Sequence, residues 1–450
     1  MSRFSSRSIS NVRFRWRARF ALAALATVTL GAAILPHAAA ATAAAPSPPR
    51  ARPSLDAQID ARLRANRDAL IQVRRDIHRH PDVSGQEART AALVAKHLRR
   101  LGLQVRTGVG GHGVVAILRG GRPGPVVGYR ADMDAVPSRD PDPVDFRSIV
   151  PGVRHICGHD VHTTVGLGVA EALAGVKRDL PGTAVFYFQP AEETTEGARA
   201  MIEARALDSS TPSAIFALHC APFEVGTIAA IEGLVLPGLD AATIRLSGAG
   251  DLGAAAKACV GLLRGMETQR QGADTDSFVG VEIWDQGLPD GARAVAVSAG
   301  IHAASETIFS RVERDIRAKV AALSLSGVKA EVAYQHSVVP ATMNDLPTVR
   351  ATYPALRRAI GADNLAILPR GSRFFSEDFS YFLKRVPGAM YFLGVSNEQK
   401  GIAGMPHSPG FAVDETAIEV GARAMARVMA DFLTRGAAAR RASAGSVKAR

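Results

Sequence analysis

The chain has 450 residues, 47% apolar and 21% charged. That is the balance of a globular protein with room for two or three domains, and it excludes disordered, fibrous and repetitive classes. The formal charge of +12 comes from the two ends: residues 1–50 hold seven arginines and no acid, residues 435–450 hold five basic residues and no acid, and the stretch between is formally neutral. A neutral middle with basic ends leaves no electrostatic footprint for a nucleic-acid backbone.

The first element explains its own charge. Arg3 to Arg19 precede the apolar run "FALAALATVTLGAAIL" (20–35), followed by "PHAAAATAAAP". Positive, apolar and small-residue regions in that order predict a signal peptide over 1–45 and an exported, periplasmic or secreted protein. An uncleaved anchor is the alternative, and the alanine-rich exit favours cleavage. No other stretch is apolar enough to span a bilayer. Export implies an oxidising compartment, yet Cys157, Cys220 and Cys259 are an odd, sparse set that does not read as a disulfide framework.

After a Pro/Ala/Arg linker (46–53), apolar spacings of three and four predict helices between Leu55 and about Arg100. Short apolar runs then alternate with helical stretches. Strands are predicted at 113–119, 125–131, 183–190, 214–220 and 389–394, and helices at about 160–178, 195–206 and 413–434. This alternation predicts an α/β fold with helices on both faces of a mostly parallel sheet, in two parts at 54–237 and 341–436. Between them, 238–340 has the texture of a compact α+β insertion with four strands and two helices. A basic tail is expected over 437–450.

The stretch "RHICGHDVHTT" (154–164) packs one cysteine and three histidines into eleven residues. It has company at other strand ends: "FYFQPAEE" brings Glu192 and Glu193, "FALHC" brings His219, and "GMPHSPGF" brings His407. Ligands of open α/β sheets gather at the carboxyl ends of strands, so these segments are able to converge. Thiolate, imidazole and carboxylate suit zinc, cobalt or manganese. Cys157, His159, Glu193, His219 and His407 suffice for one ion or, with a bridging ligand, two. A bound ion lowers the pKa of its water to about 7, and Glu192, next to a proposed ligand, is placed to take that water's proton and return it to a leaving amine. Alone, each piece is weak: a strand-end histidine is commonly a satisfied polar residue, and a Glu-Glu pair suits a helix start. A thiol nucleophile at Cys157 leaves the glutamate pair and His407 without a purpose. His78, His80, His97 and His112 read as surface or structural, and Cys220 and Cys259 as buried thiols.

The ordered motifs "HRHPDVSGQE" (78–87), "RADMDAVP" (130–137), "HICGHDVH" (155–162), "QPAEE" (189–193), "LHCAP" (218–222), "SEDFSYF" (376–382) and "HSPGF" (407–411) resemble those of the amidohydrolase branch of the aminoacylase and carboxypeptidase metallopeptidases, which includes hippurate and auxin-conjugate hydrolases. The resemblance implies a dinuclear centre of two divalent ions (Zn, Mn, Co or Ni) held by Cys157, His159, Glu193, His219 and His407, with Cys157 bridging and Glu192 as general base. It implies that Asp134 and Asp132 orient histidine ligands, and that Asp160 and His162 open a helix. It further implies hydrolysis of the amide bond of N-acyl amino acids or short peptides, and a homodimer formed through the insertion, which also serves as a lid.

The insertion departs from that pattern. Where a "GKGGHAA"-like turn supplies a histidine, this chain has "SGAGDLGAA" with Asp251 and Leu252; Gln286 and His302 stand where an asparagine and an arginine are usual. These three, Asp251, Gln286 and His302, are the candidate substrate-binding residues. Losing a cationic or donor group there costs roughly 2 kcal/mol or more of transition-state stabilisation. A metal-loaded binding protein without turnover is therefore the alternative function, and the retained Glu192 argues against it.

Overall fold

The structure is a computed structural model that describes residues 53–208, 210–268, 278–286, 294–372 and 375–448, with side chains up to 438. The expected signal peptide and residues 46–52 of the linker lie outside the described residues. Among those described, no helix is long and apolar enough to cross a membrane.

The larger sheet has eight strands: β1 (Gln104–Thr107), β2 (Val114–Arg119), β3 (Arg122–Asp132), β4 (Pro181–Gln189), β5 (Ala214–Glu224), β6 (Ile228–Ile231), β11 (Leu365–Leu368) and β12 (Gly388–Ser396). Their order is β1-β2-β4-β3-β5-β12-β6-β11. The four central strands β4, β3, β5 and β12 run parallel, whereas β1, β2 and β6 meet their inner neighbours antiparallel. Alternation along each strand sorts the two faces: Phe186, Phe188, Phe216 and Leu218 pack on one side, while Val185, Tyr187, Ile215 and Ala217 pack on the other.

Long helices cover the first face: α1 (Leu55–Arg79), α2 (Ala88–Arg100), α3 (His159–Gly175), α7 (Leu346–Ile360) and α8 (Thr416–Lys448). α1 starts where Ser54 accepts from Ala57 N, and it buries Ile59, Leu63, Leu70 and Ile77 along one stripe. α3 is buried almost all round because α1, α8 and the sheet enclose it. Fully burying such a side chain contributes about 1.5–3 kcal/mol. The opposite face is covered more thinly, by the short α4 (Gly197–Glu203) and by Phe379 and Phe382.

A second sheet is antiparallel, in the order β8-β9-β7-β10, from β7 (Gly238–Gly248), β8 (Val279–Asp285), β9 (Ala294–Ala303) and β10 (Val328–Val339). Helices α5 (Leu252–Arg264) and α6 (Glu306–Ala321) pack against it over a core of its own, including Ile244, Cys259, Leu263, Ile301 and Val312.

Three features differ from the sequence expectation. The strand through His219 continues to Glu224, so His219 lies within it, paired in register with Phe392 of β12. The last helix runs to Lys448, through most of the expected tail, because "GAAARRASAGSVKA" is rich in strong helix formers. α7, unmarked by the sequence reading, starts at an Asp345 cap that accepts from Thr348 N, with a proline in its first turn.

Candidate active site

The parallel strands deliver the singled-out residues to one place. β3 ends at Asp132 and leads into Asp134; β4 ends at Gln189 and leads into Glu192 and Glu193; β5 carries His219. Gly158 makes the turn into α3 at φ +97°, and a Cβ there would sit 2.9 Å from Cys220 Sγ. Only glycine fits that approach, which places Cys157 just before the helix and His159 at its start. His407 is itself left-handed, at φ +58°, and its N–H donates to Ile156 O at 2.8 Å, bringing its loop beside the cysteine.

Cys157 Sγ lies 3.4 Å from His219 Nε2. Glu193 Oε1 lies 3.4 Å from His407 Nε2 and 3.7 Å from His159 Nε2. Two sets of donor atoms, Cys157/His159/His219 and Cys157/Glu193/His407, each lie within 4.8 Å of one another and share the thiol. Second groups fix the histidines: Asp134 Oδ1 takes His159 Nδ1 at 3.1 Å and the Cys220 carbonyl takes His219 Nδ1 at 2.8 Å. Each Nε2 is thereby left with its lone pair facing the cluster. Asp134 Oδ2 also accepts from Ser84 Oγ and from the Glu193 backbone N–H.

Divalent ions fit these residues. His159 Nε2 and Glu193 Oε1 are buried without a hydrogen-bond partner, an expensive arrangement unless a cation occupies the space between them. Burial and crowding by other anions push the Cys157 thiol well up, and Glu193 is raised to about 7, first by burial. Such donors ionise readily only beside added positive charge.

Glu192 sits at the rim of the donor set, its Oε2 3.8 Å from His159 Nε2. Burial comes first in raising its carboxyl well above the ordinary range, followed by Glu377 and Glu193. Beneath it lies a network that the sequence reading left without a role. Arg130, 2% exposed, donates to Asp132, Gln189, Glu377 and Asp378 at 2.6–3.3 Å. The two ends lie in the motifs "RADMD" and "SEDF", and nothing in either stretch predicts that they meet. Glu87 is a second such residue: its Oε1 accepts from Gly85 N and Ala191 N, holding Ala191 in its left-handed turn at φ +51° just before Glu192.

Asp132 holds His162 rather than a donor of the cluster. Its Oδ1 is 2.7 Å from His162 Nδ1 and 3.9 Å from His159 Nε2. His162 Nε2 accepts from Cys220 N at 2.7 Å, so both ring nitrogens are engaged. Asp160 pairs with Arg74 and His78, and both it and His162 stand in the first turn of α3. His97 is paired with Glu171, and Cys220 and Cys259 are buried free thiols.

A cavity of about 570 Å³ opens onto Cys157, Glu192, Glu193, His219 and His407. The three candidates from the insertion are not brought to it. Asp251 caps α5 by accepting from Ala254 N at 2.9 Å, Gln286 is exposed beyond the end of β8, and His302 is buried with its Nε2 3.6 Å from Glu282.

Residues 128–431 match the peptidase family M20/M25/M40, and the chain belongs to that family. It is 34% identical over 391 residues to thermostable carboxypeptidase 2 of Saccharolobus solfataricus, covering 81% of this chain and 95% of that protein. It is 32% identical to the IAA-amino acid hydrolase ILR1-like 6 of Arabidopsis thaliana, covering 81% and 80%. Among solved structures it is similar to Bacillus subtilis YXEP, described as a dinuclear metal-binding peptidase of the M20 family, with a TM-score of 0.68, 27% identity, and coverage of 82% of this chain and 99% of that one.

Proposed function

We propose that this chain is a metal-dependent amidohydrolase that cleaves the amide bond of N-acyl amino acids or short peptides. The observation that carries the reading is the pair of donor sets sharing Cys157, with His159 Nε2 and Glu193 Oε1 buried without hydrogen-bond partners and Glu192 beside them. The names of its relatives, a carboxypeptidase and an amino-acid-conjugate hydrolase, support it.

Cys157, His159, Glu193, His219 and His407 would hold two divalent ions, of zinc, manganese, cobalt or nickel, with the thiol of Cys157 common to the two donor sets. When bound, the ions polarise the scissile carbonyl and acidify water. Glu192 accepts the proton of the attacking water and delivers it to the amine nitrogen as the C–N bond breaks. Its burial beside Glu377 raises its affinity for a proton, which makes the ionised carboxylate a stronger base towards the attacking water. Asp134 fixes the tautomer and orientation of His159, while Asp132 acts one step further out, through His162. Glu192 in place beside the donors gives the lost-turnover alternative no support.

We also read residues 1–45 as an export signal, with the mature chain periplasmic or secreted. The domains are assigned as 54–237 with 341–436, and 238–340 as a lid and dimer-forming insertion. The separate cores of the two sheets support this division. The test is metal analysis of the purified chain combined with amine release from a panel of N-acyl amino acids. About two ions per chain with chelator-sensitive release is the expected result; bound metal without release from any compound sinks the hydrolase reading.

A further inference from the structure

Arg154, which opens the stretch "RHICGHDVHTT", is 4% exposed and so brings a permanent charge into the interior three positions before Cys157. A buried guanidinium is costly unless charge and hydrogen bonds meet it. Asp142 supplies the charge: its Oδ1 lies 3.6 Å from Arg154 Nη2, and its other oxygen lies 3.0 Å from His78 Nε2. Arg154 Nη1 donates to two carbonyls, Asp140 O at 3.3 Å and Pro409 O at 3.4 Å. Pro409 lies two residues after His407. Val153–Arg154 pairs antiparallel with Val136–Pro137, so the guanidinium is carried on backbone fixed to the stretch that holds Asp134.

His407 needs such a hold more than the other candidate donors do. Its side chain is 39% exposed, against 14% for Glu193 and 0% for His159. It stands in a loop, and among the described residues no second group aims its ring as Asp134 and the Cys220 carbonyl aim His159 and His219. Its position therefore depends on its backbone, whose left-handed φ of +58° persists only where the surroundings fix it. Between 404 and 413, two hydrogen bonds tie the loop to the rest of the chain among the described residues: His407 N donates to Ile156 O at 2.8 Å, and Pro409 O accepts from Arg154. Both end on the segment just before Cys157, and the buried Phe411 adds an apolar anchor.

We propose that Arg154 is a positioning residue for the metal centre: by clasping Pro409 O it fastens the loop of His407 against the segment that carries Cys157, and so completes the donor set Cys157/Glu193/His407. The inference rests on the hydrolase reading above and deepens it. The set Cys157/His159/His219 does not include this loop, so the two ions respond differently to loss of the clasp.

The test is zinc binding by the metal-free full chain in competition with a chromophoric chelator, read together with amide hydrogen exchange of residues 404–411 and the urea midpoint. The wild type is expected to take up two ions. In Arg154→Met, which keeps an apolar stem and removes the donors, one ion is expected to bind about 10–100-fold more weakly and the other as before, with faster exchange over 404–411 before metal is added. Arg154→Lys retains part of the hold, because an ammonium keeps the charge without the forked donors; it is read in the same way if Arg154→Met does not fold. His407→Ala is expected to weaken the same single ion, and Arg154→Met added to it to cost no further affinity, since both act through one contact. Equal weakening of both ions, unchanged exchange over 404–411, or a lower urea midpoint with both ions bound as in the wild type overturns the proposal. A wild type that binds fewer than two ions sinks the dinuclear reading instead. Exchange in the metal-free chains then still decides Arg154: faster exchange over 404–411 in Arg154→Met supports the clasp, and equal exchange overturns it.

Discussion

Polar residues are used in opposite ways by the two sheets. Around the parallel sheet a second group aims two of the candidate donors, Asp134 on His159 and the Cys220 carbonyl on His219, and Glu87 braces the turn before Glu192. On the antiparallel sheet two of the three insertion candidates have local partners. Asp251 caps a helix and His302 is buried near Glu282. Chemistry that needs fixed geometry sits where strand ends and a helix start enforce it, whereas Asp251, Gln286 and His302 stand away from the cavity.

The sharpest way to break this comparison is at its catalytic end. Glu192→Gln is expected to lower kcat by about 10³-fold, the scale of a general acid–base group, while metal content per chain stays unchanged. His159→Ala is expected to lose metal as well as turnover. Metal loss in Glu192→Gln would make Glu192 a ligand and remove it from the proton-carrying role.

One shell out, the effect is smaller and separable. Asp134→Asn leaves His159 in place but weakens its orientation, and metal affinity is expected to fall about 10–100-fold, read by competition with a chromophoric chelator. Asp132→Asn acts on His162 and on the buried Arg130, so its loss is expected chiefly in the urea midpoint. Equal loss of metal affinity in both variants would erase the distinction between the two aspartates.

The sequence made much of this legible for specific reasons. Short apolar runs marked the central strands, which are buried on both faces, and spacings of three and four marked α1 and α2, which each bury one face. Convergence of Cys157, His159, Glu193, His219 and His407 followed from their positions near successive strand ends. What escaped was contact between distant motifs. Arg130 and Glu377 are 247 positions apart, and no local period reports that one neutralises the other. The short strands β1, β6 and β11 escaped because four residues carry too little alternation to stand out from loop. α7 was missed because its leucine-proline start resembles a turn until Asp345 is seen capping it.

Stability of the parallel-sheet region should also carry an acid signature. Asp414 is 3% exposed and accepts from Thr416, Asn397 and Lys400 at the start of α8. Burial pushes its carboxyl up, but those partners outweigh burial and hold it at about 2. Because the folded value lies below the unfolded one near 4, the contribution is fully present above about pH 4 and is lost as pH falls towards 2. Its size is roughly 1–2 kcal/mol after allowance for screening of the exposed Lys400. Urea midpoints at pH 5 and pH 3 check it: the drop between them should shrink in Asp414→Asn, and an identical drop would place the acid sensitivity elsewhere.

The smallest effect tests the other half of the comparison. Asp251 accepts from Ala254 N at the head of α5, and removing such a cap costs about 1 kcal/mol. Asp251→Ala is therefore expected to lower the urea midpoint modestly and to leave kcat/KM for an N-acyl amino acid within about 2-fold, since 1 kcal/mol of folding stability scarcely changes the fraction folded. A loss of tenfold or more in kcat/KM with an unchanged midpoint would mean that the head of α5 reaches the substrate during turnover. The insertion would then share in recognition despite its altered residues, and the division between an aimed site on one sheet and a structural cap on the other would give way to a site assembled from both.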